Sequence, residues 1–396
     1  MKKLAFVIPW FSATISGGAE IAMRDLTDKI AQTGQPVEIL TTCVEKFASD
    51  WSTNYFYRGV EKIGRVPVRR FKAEQRNTKA FDRINQKFMN SQDVSTTEEA
   101  VFLNEMVNSD EMYQYIREHH DEYSLFVFTP YMFGTTYFGA AAAKNKAVLI
   151  PCFHEEPYAH MKLFKKRWSS LAGMAFLAQP ESDLAHELYD LARVKTKVLG
   201  LGVEEVRGNA DRFLNLHQLD GIPFILYAGR KDAGKNVDVL IDYFVKYRAE
   251  NPLDSLKLVL IGGGNISIPI LAQKDILDLG FVSSQEKADA YAAATLLCQP
   301  SEHESFSIVI MESWLAGRPV LVSGHCAVTR NFVVASSGGL FFENYKDFAG
   351  SVRLLTENST LADRMGRNGQ EYVKTNFCWD SVAASYLQFF KEVADE

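Results

Sequence analysis

Cysteine is scarce. The 396 residues hold five, at Cys43, Cys152, Cys298, Cys326 and Cys378, and no two are close in sequence. That spacing excludes a disulfide framework and a zinc site of CxxC type, and it suits a reducing compartment. Positive charge is not in excess: 43 Lys and Arg stand against 49 Asp and Glu, for a net charge of −6. No nucleic-acid partner is therefore expected. Repeats and low-complexity tracts are missing. Long apolar runs are missing too, with one near exception. Leu125–Ala143 carries no charge and is about the length of a membrane span. It also contains Thr129, Pro130, Gly134, Thr135 and Thr136, and a strand, a turn and a small-residue helix account for it better. The opening Met-Lys-Lys and Leu4–Phe11 look like the start of a signal peptide, but Pro9 interrupts the run and Gly17-Gly18-Ala19-Glu20 opens a helical pattern. A strand, loop and helix are expected there, in a cytoplasmic protein.

What is present is an ordinary globular composition, 47 % hydrophobic and 23 % charged, in a chain too long for one core. Short β-branched and aromatic runs alternate with helical patterns. Candidate strands are Lys3–Pro9, Val37–Thr41, Val66–Phe71, Leu125–Thr129, Ala147–Cys152, Met174–Ala178 and Lys197–Leu199. After a connector over Gly200–Leu219 come Phe224–Ala228, Lys257–Ile261, Asp278–Phe281, Leu296–Gln299, Pro319–Ser323 and Gly339–Phe342. Near-continuous apolar strands between helices predict parallel sheets covered on both faces. The chain thus reads as α/β, with two Rossmann-like doubly wound domains facing a central cleft: residues 1–200, residues 201–380, and a closing helix over 381–396. Such sheets bind ligands at the carboxyl ends of their strands. Arg58–Lys87 is basic, with ten Lys and Arg against three Asp and Glu, and Lys162, Lys165, Lys166 and Arg167 form a second cluster. Trp51–Ser124 otherwise shows no clear pattern.

Three strand-end segments could carry chemistry. Gly17-Gly18 lies between the first strand and a helix, where bare backbone can approach a phosphate. Gly229-Arg230-Lys231-Asp232-Ala233-Gly234-Lys235-Asn236 follows a strand, and its Arg230 and Lys235 suit a diphosphate, one by bidentate bonding and one as a point charge. Ser301–Glu312 follows another strand. It places Glu304 before a helix predicted over Ser305–Ala316 and Glu312 about two turns along it. A Glu pair at that spacing recurs by chance; the ordered combination of all three segments does not.

On these residues the chain resembles the retaining glycosyltransferases of GT-B fold, family GT4, along nearly its whole length. Glu304 to Glu312 matches the family's E-x7-E motif, Arg230 and Lys235 its basic pair, and Gly17-Gly18 its N-terminal glycine loop. Leu258–Gly264 and Gly280–Ser283 match further loops around the nucleotide. Trp379 and its helix resemble the segment that crosses back to the N-terminal domain. The resemblance implies an N-terminal acceptor-binding domain and a C-terminal nucleotide-sugar-binding domain. It implies that Arg230 and Lys235 hold the donor diphosphate and that Glu304 touches the transferred sugar. Backbone groups around Ser305, Phe306, Ser307 and Ile308 would bind sugar or phosphate, and Glu312 the ribose. Gly17, Gly18, Gly263 and Phe281 complete the implied donor set, and His154 occupies the place of a catalytic histidine. Glu155, Glu156 and His160 are candidate acceptor contacts. Ser305 and Ser307 stand where the family usually has glycines.

The expected activity is metal-independent, retaining transfer of a hexose from a GDP- or UDP-linked donor, without a cofactor. The chain lacks Asp-x-Asp, the metal-binding signature of the other glycosyltransferase fold. The expected acceptor is a saccharide, free or linked to polyprenyl diphosphate, in surface polysaccharide assembly. The basic segments suggest a peripheral contact with an anionic membrane, at the inner face of the plasma membrane. Two alternatives share the fold: a nucleotide-sugar 2-epimerase and a catalytically silent donor-binding subunit.

Overall fold

The computed structural model describes residues 1–14 and 17–395. The chain divides into two units. The first comprises Met1–Gly202 with Trp379–Glu396, and the second Val203–Cys378.

The first unit is built on an eight-stranded sheet: β1 (Lys3–Ile8), β2 (Val37–Thr42), β3 (Gly59–Ile63), β4 (Val66–Phe71), β5 (Tyr123–Phe128), β6 (Ala147–Leu149), β7 (Gly173–Phe176) and β8 (Lys195–Val198). Their order is β3-β4-β2-β1-β5-β6-β7-β8. All neighbours are parallel except β3 and β4, an antiparallel hairpin at the edge. The central strands are buried along almost their whole length, as sheets covered on both faces require. Leu125–Ala143 resolves into β5, a turn with a cis Thr129–Pro130 bond, and a helix Gly134–Ala143. Among the described residues no helix is long and apolar enough to cross a membrane.

β3 was not foreseen. Its side chains are nearly all exposed, so no hydrophobic alternation announces it. Gly64, at φ 58°, makes the turn into β4. The patternless stretch forms helices Thr78–Met89, Thr96–Asn104 and Asp110–Glu118, each with a side-chain cap from Asn77, Ser95 or Ser109. Helix Trp379–Ala394 belongs to this unit. It buries Trp379, Val382, Tyr386, Phe389, Phe390 and Val393, and the Tyr386 hydroxyl donates to the Gly200 carbonyl at 3.0 Å.

The second unit holds six strands: β9 (Phe224–Ala228), β10 (Lys257–Ile261), β11 (Ile276–Gly280), β12 (Leu296–Gln299), β13 (Val320–Ser323) and β14 (Gly339–Phe342). All are parallel, in the order β11-β10-β9-β12-β13-β14. This is the doubly wound order in which the direction of winding reverses between the first and fourth strands, β9 and β12. A crevice opens at the carboxyl ends of that pair. The stretch read as a connector contains a helix, Ala210–His217, capped by Asn209.

Candidate functional site

The reversal point of the second unit gathers the sequence candidates. The loop leaving β9 carries Arg230 and Lys235; the loop leaving β12 carries Glu304 and leads into helix Ile308–Leu315. The Lys235 ammonium donates to Glu304 Oε1 at 2.6 Å, and the Gln299 amide donates to the same oxygen at 3.1 Å. Arg230 stands out from this pair. Its side chain is 64 % exposed, and Nη1 lies 3.4 Å from Asp232 Oδ2. The loop is held from below by Tyr227, whose hydroxyl donates to the Arg230 carbonyl at 2.5 Å. Burial, with the nearby Glu304 and Asp232 charges, keeps that phenol protonated.

The helix that the sequence placed at Ser305–Ala316 starts at Ile308, so Ser305, Phe306 and Ser307 lie in the approach to it. Phe306 is buried against Phe332 and Phe377 and anchors this approach. Ser307 is left-handed at φ 65°, a conformation that favours glycine. The helix start has no side-chain cap; Ile310 N–H turns back to the Ser307 carbonyl at 3.2 Å, and the N–H groups of Ile308 and Val309 ahead of it can meet an anion. Two turns along, Glu312 accepts from Lys287 Nζ at 2.5 Å and from the Tyr291 hydroxyl at 2.8 Å. Both partners come from helix Ser284–Ala293. Tyr291 is buried, and burial beside Glu312 pushes its phenol well above the usual range. Sequence reasoning named Glu312 and missed this pair.

Gly262, Gly263 and Gly264 line the loop after β10. The steric need for glycine falls on the outer two. Gly262, at φ 120°, faces the Gly229 carbonyl, and Gly264, at φ 103°, faces the Lys231 backbone; a Cβ at either would collide. Gly263 accepts the Lys231 N–H at 2.7 Å. Phe281 is 73 % exposed, with its ring edge over Gly263. Lys231, which the sequence did not single out, is buried in an ion pair with Asp278 and ties the β9 loop to β11.

The remaining candidates sit on the first unit, on loops after β1 and β6. Gly17 is extended, at φ −73°, and caps helix Gly18–Gln32 without a side-chain bond. Glu20, in its first turn, accepts from the Trp10 indole and already places a carboxylate at that helix start. His154 Nδ1 lies 3.5 Å from Glu156 Oε1. The Tyr131 hydroxyl donates to the same oxygen at 2.5 Å. Burial pushes the Glu156 carboxyl up to about 7. His160 and Glu155 pair at 2.6 Å. Beside them opens a cavity of about 460 Å³, with Phe88, Asp93, Val94, Glu155, Glu156 and His160 in its walls. Glu181, also missed, underlies the loop. Fully buried, it accepts the N–H groups of Phe153 at 2.7 Å and Leu177 at 2.5 Å, and burial pushes it up to about 8.

Half of the basic run proves to be internally paired. Arg58 meets Glu111, Arg65 meets Asp28, Arg69 meets Glu38, Arg70 meets Glu61 and Lys87 meets Glu98. Arg76 stacks on Trp51 and Phe81.

The reversal point of this doubly wound domain thus gathers two cations, two carboxylates and an uncapped helix start. Residues 216–372 match the family described as glycosyl transferases group 1. That segment is similar to this family. D-inositol 3-phosphate glycosyltransferase of Rhodococcus erythropolis is 26 % identical over 237 residues, covering 54 % of this chain and 52 % of the relative. Phosphatidyl-myo-inositol mannosyltransferase of Mycobacterium leprae is 29 % identical over 220 residues, covering 52 % and 58 %. The chain spans about half the length of the curated relatives it matches. Among solved structures, sucrose-phosphate synthase from Thermosynechococcus elongatus superposes with a TM-score of 0.72 at 17 % identity, over 99 % of both chains. The Anabaena protein HepE in complex with UDP and glucose gives 0.70 at 15 %, over 99 % of this chain and 100 % of that one. These likenesses establish the GT-B fold.

Proposed function

We propose that this protein is a retaining glycosyltransferase that moves a hexose from a nucleotide-diphosphate sugar to a saccharide acceptor. The observation that carries the reading is the meeting of Lys235 and Glu304 at the uncapped start of helix Ile308–Leu315. Two segments read separately as a diphosphate site and a sugar site converge on one place. The solved HepE structures, whose titles include UDP and UDP-glucose, share this fold and support a UDP-linked donor.

In this reading Arg230, Lys235 and the N–H groups at Ile308 receive the donor diphosphate. As the glycosidic C–O bond breaks, negative charge grows on the leaving phosphate. The two cations, once turned to the phosphate, and the helix start oppose it, and they supply the stabilisation a metal would otherwise give. Glu304 binds hydroxyls of the transferred sugar. Glu312, oriented by Tyr291 and Lys287, takes the ribose hydroxyls, with Gly263 and Phe281 bordering the nucleoside. His154, set against Glu156, acts on the acceptor side. The first unit binds the acceptor, a saccharide free or on polyprenyl diphosphate, and the unpaired lysines of helix Lys162–Trp168 favour an anionic membrane nearby.

A thermal-shift panel with UDP, GDP, ADP and CMP tests the donor site. A ligand at 100 times its Kd stabilises by about 2.7 kcal/mol. A response to one base, lost in Arg230→Ala, is expected. Silence with every nucleotide refutes the donor reading. Loss of the nucleotide sugar to an epimer, with no acceptor present, replaces transfer by epimerisation.

A further inference from the structure

Two buried polar atoms at the reversal point of the second unit have no hydrogen-bond partner. One is Gln299 Oε1, on a residue 4 % exposed at the end of β12. The other is Ser307 Oγ, on a residue 6 % exposed at the start of helix Ile308–Leu315. Buried polar groups are nearly always paired, and leaving one unpaired is costly. Two within nine residues, on either side of Glu304, call for a reason.

The orientation of the Gln299 amide is fixed by its neighbour. An ionised carboxylate can only accept, so the amide nitrogen must face Glu304 Oε1, and the carbonyl oxygen is turned away and left unsatisfied. Ser307 carries a second penalty. A non-glycine residue is held left-handed, where glycine would be unstrained, and its hydroxyl gains nothing from the fold in return. A strand-end glutamine and a helix-start serine that weaken the free protein are the mark of a site completed by a ligand.

We propose that Gln299 and Ser307 bind the transferred sugar directly. Gln299 holds Glu304 through its amide nitrogen and accepts a sugar hydroxyl on its carbonyl oxygen. The Ser307 hydroxyl exchanges a hydrogen bond with a second sugar oxygen. Gln299 also keeps Glu304 in place when Lys235, which shares Glu304 Oε1 with it, turns to the donor diphosphate. The chemistry selects a neutral, hydroxyl-bearing sugar. The Glu304 carboxylate and the Gln299 carbonyl are both acceptors, and a hydroxyl can donate to either, whereas a sugar carboxylate can donate to neither. This inference rests on the donor-site reading above and assigns the residues that read the sugar.

The test compares UDP with UDP-glucose, or GDP with GDP-mannose if guanine nucleotides are the ones bound, in wild type, Gln299→Leu and Ser307→Gly. Removing one hydrogen-bonding group weakens binding by roughly ten-fold. Gln299→Leu is expected to bind the nucleoside diphosphate as wild type does and the nucleotide sugar about ten-fold more weakly, with Tm unchanged or raised. Ser307→Gly is expected to raise Tm and to weaken only the nucleotide sugar. The four monodeoxy-fluoro analogues of the sugar sharpen the result. Fluorine cannot donate, so the analogue altered at the contacted hydroxyl should bind wild type poorly and lose that disadvantage in Gln299→Leu. Wild type that binds no nucleotide overturns the donor site itself. Wild type that binds, with both variants keeping the full preference for nucleotide sugar over nucleoside diphosphate, overturns this inference alone.

Discussion

Lys235 and Glu304 stand 69 residues apart in sequence and meet at 2.6 Å. The pair joins the loops of the two strands between which the sheet of the second unit reverses. Replacing Lys235 by Met removes the cation and leaves Glu304 with Gln299 as its partner. Loss of one such fixed charge is expected to lower kcat by about 100- to 1000-fold, with the fold intact by circular dichroism. Steady-state rates with a radiolabelled donor measure it, and a drop of less than ten-fold removes Lys235 from the reaction.

Glu312 offers a test of the nucleoside end. Glu312→Gln keeps an acceptor for Tyr291 and gives up the charge that draws Lys287. Charge-assisted bonds to the ribose weaken with it, by roughly ten-fold or more in nucleotide affinity. Calorimetry with a nucleoside diphosphate and its 2′-deoxy form tells more. Wild type should prefer the ribose and the variant should not; an equal preference in both places Glu312 away from the sugar ring.

The Glu156 carboxyl titrates near 7 in the folded chain, against an ordinary value of 4.5. Burial therefore makes the native state hold an extra proton between those values. Stability falls as pH rises through that window and levels off above it. Glu156→Gln keeps an acceptor for the Tyr131 hydroxyl and abolishes the charge. The variant should gain about 1–3 kcal/mol over wild type at pH 8, and little at pH 5. Urea unfolding at the two pH values measures the gap, and a gap independent of pH contradicts the assignment.

Glu181 is likewise a buried carboxyl pushed upward, but its oxygens are used by backbone N–H groups on two loops. Glu181→Ala strands those donors in the interior. A loss of about 2–4 kcal/mol follows, and a fall in Tm of roughly 5–10 °C. Differential scanning calorimetry should find it, and an unshifted transition would show that other groups satisfy the loop.

The sequence was most legible where burial leaves a continuous mark. β1, β5, β9 and β10 are apolar along nearly their whole length because both faces are covered, and each appears as a run. β3 escaped because its side chains face solvent. The helices of residues 78–118 did carry local signals that were passed over: the Ser95–Glu98 capping box, and apolar residues at helical spacing in Phe81, Ile84 and Phe88 and in Met112, Tyr113 and Ile116. In the site, Glu304, Glu312, Arg230 and Lys235 were legible because each follows a strand at a recognisable spacing. Tyr291, Lys287 and Gln299 were not. The first two reach Glu312 from another helix, and Gln299 looks like an irregular end to an apolar strand. The pairing within the basic run was hidden because charge counts do not show it. Glu38 and Glu111, the partners of Arg69 and Arg58, lie outside it.

The second unit enters and leaves the chain at one spot. Val203 donates its N–H to the Phe377 carbonyl at 2.9 Å, two backbones side by side at either end of a stretch of about 175 residues. Topologically that stretch is an insertion, and the closing helix Trp379–Ala394 completes a host fold interrupted at Gly202. A guest with abutting ends can be exchanged as a cassette. Splicing a foreign nucleotide-binding module between Gly202 and Trp379 needs no new linker geometry, and joining residues 203 and 378 through a short turn leaves a closed module that can be reopened elsewhere. If the second unit binds the donor as proposed, a lineage that keeps its first unit and swaps its second would change donors in a single recombination event.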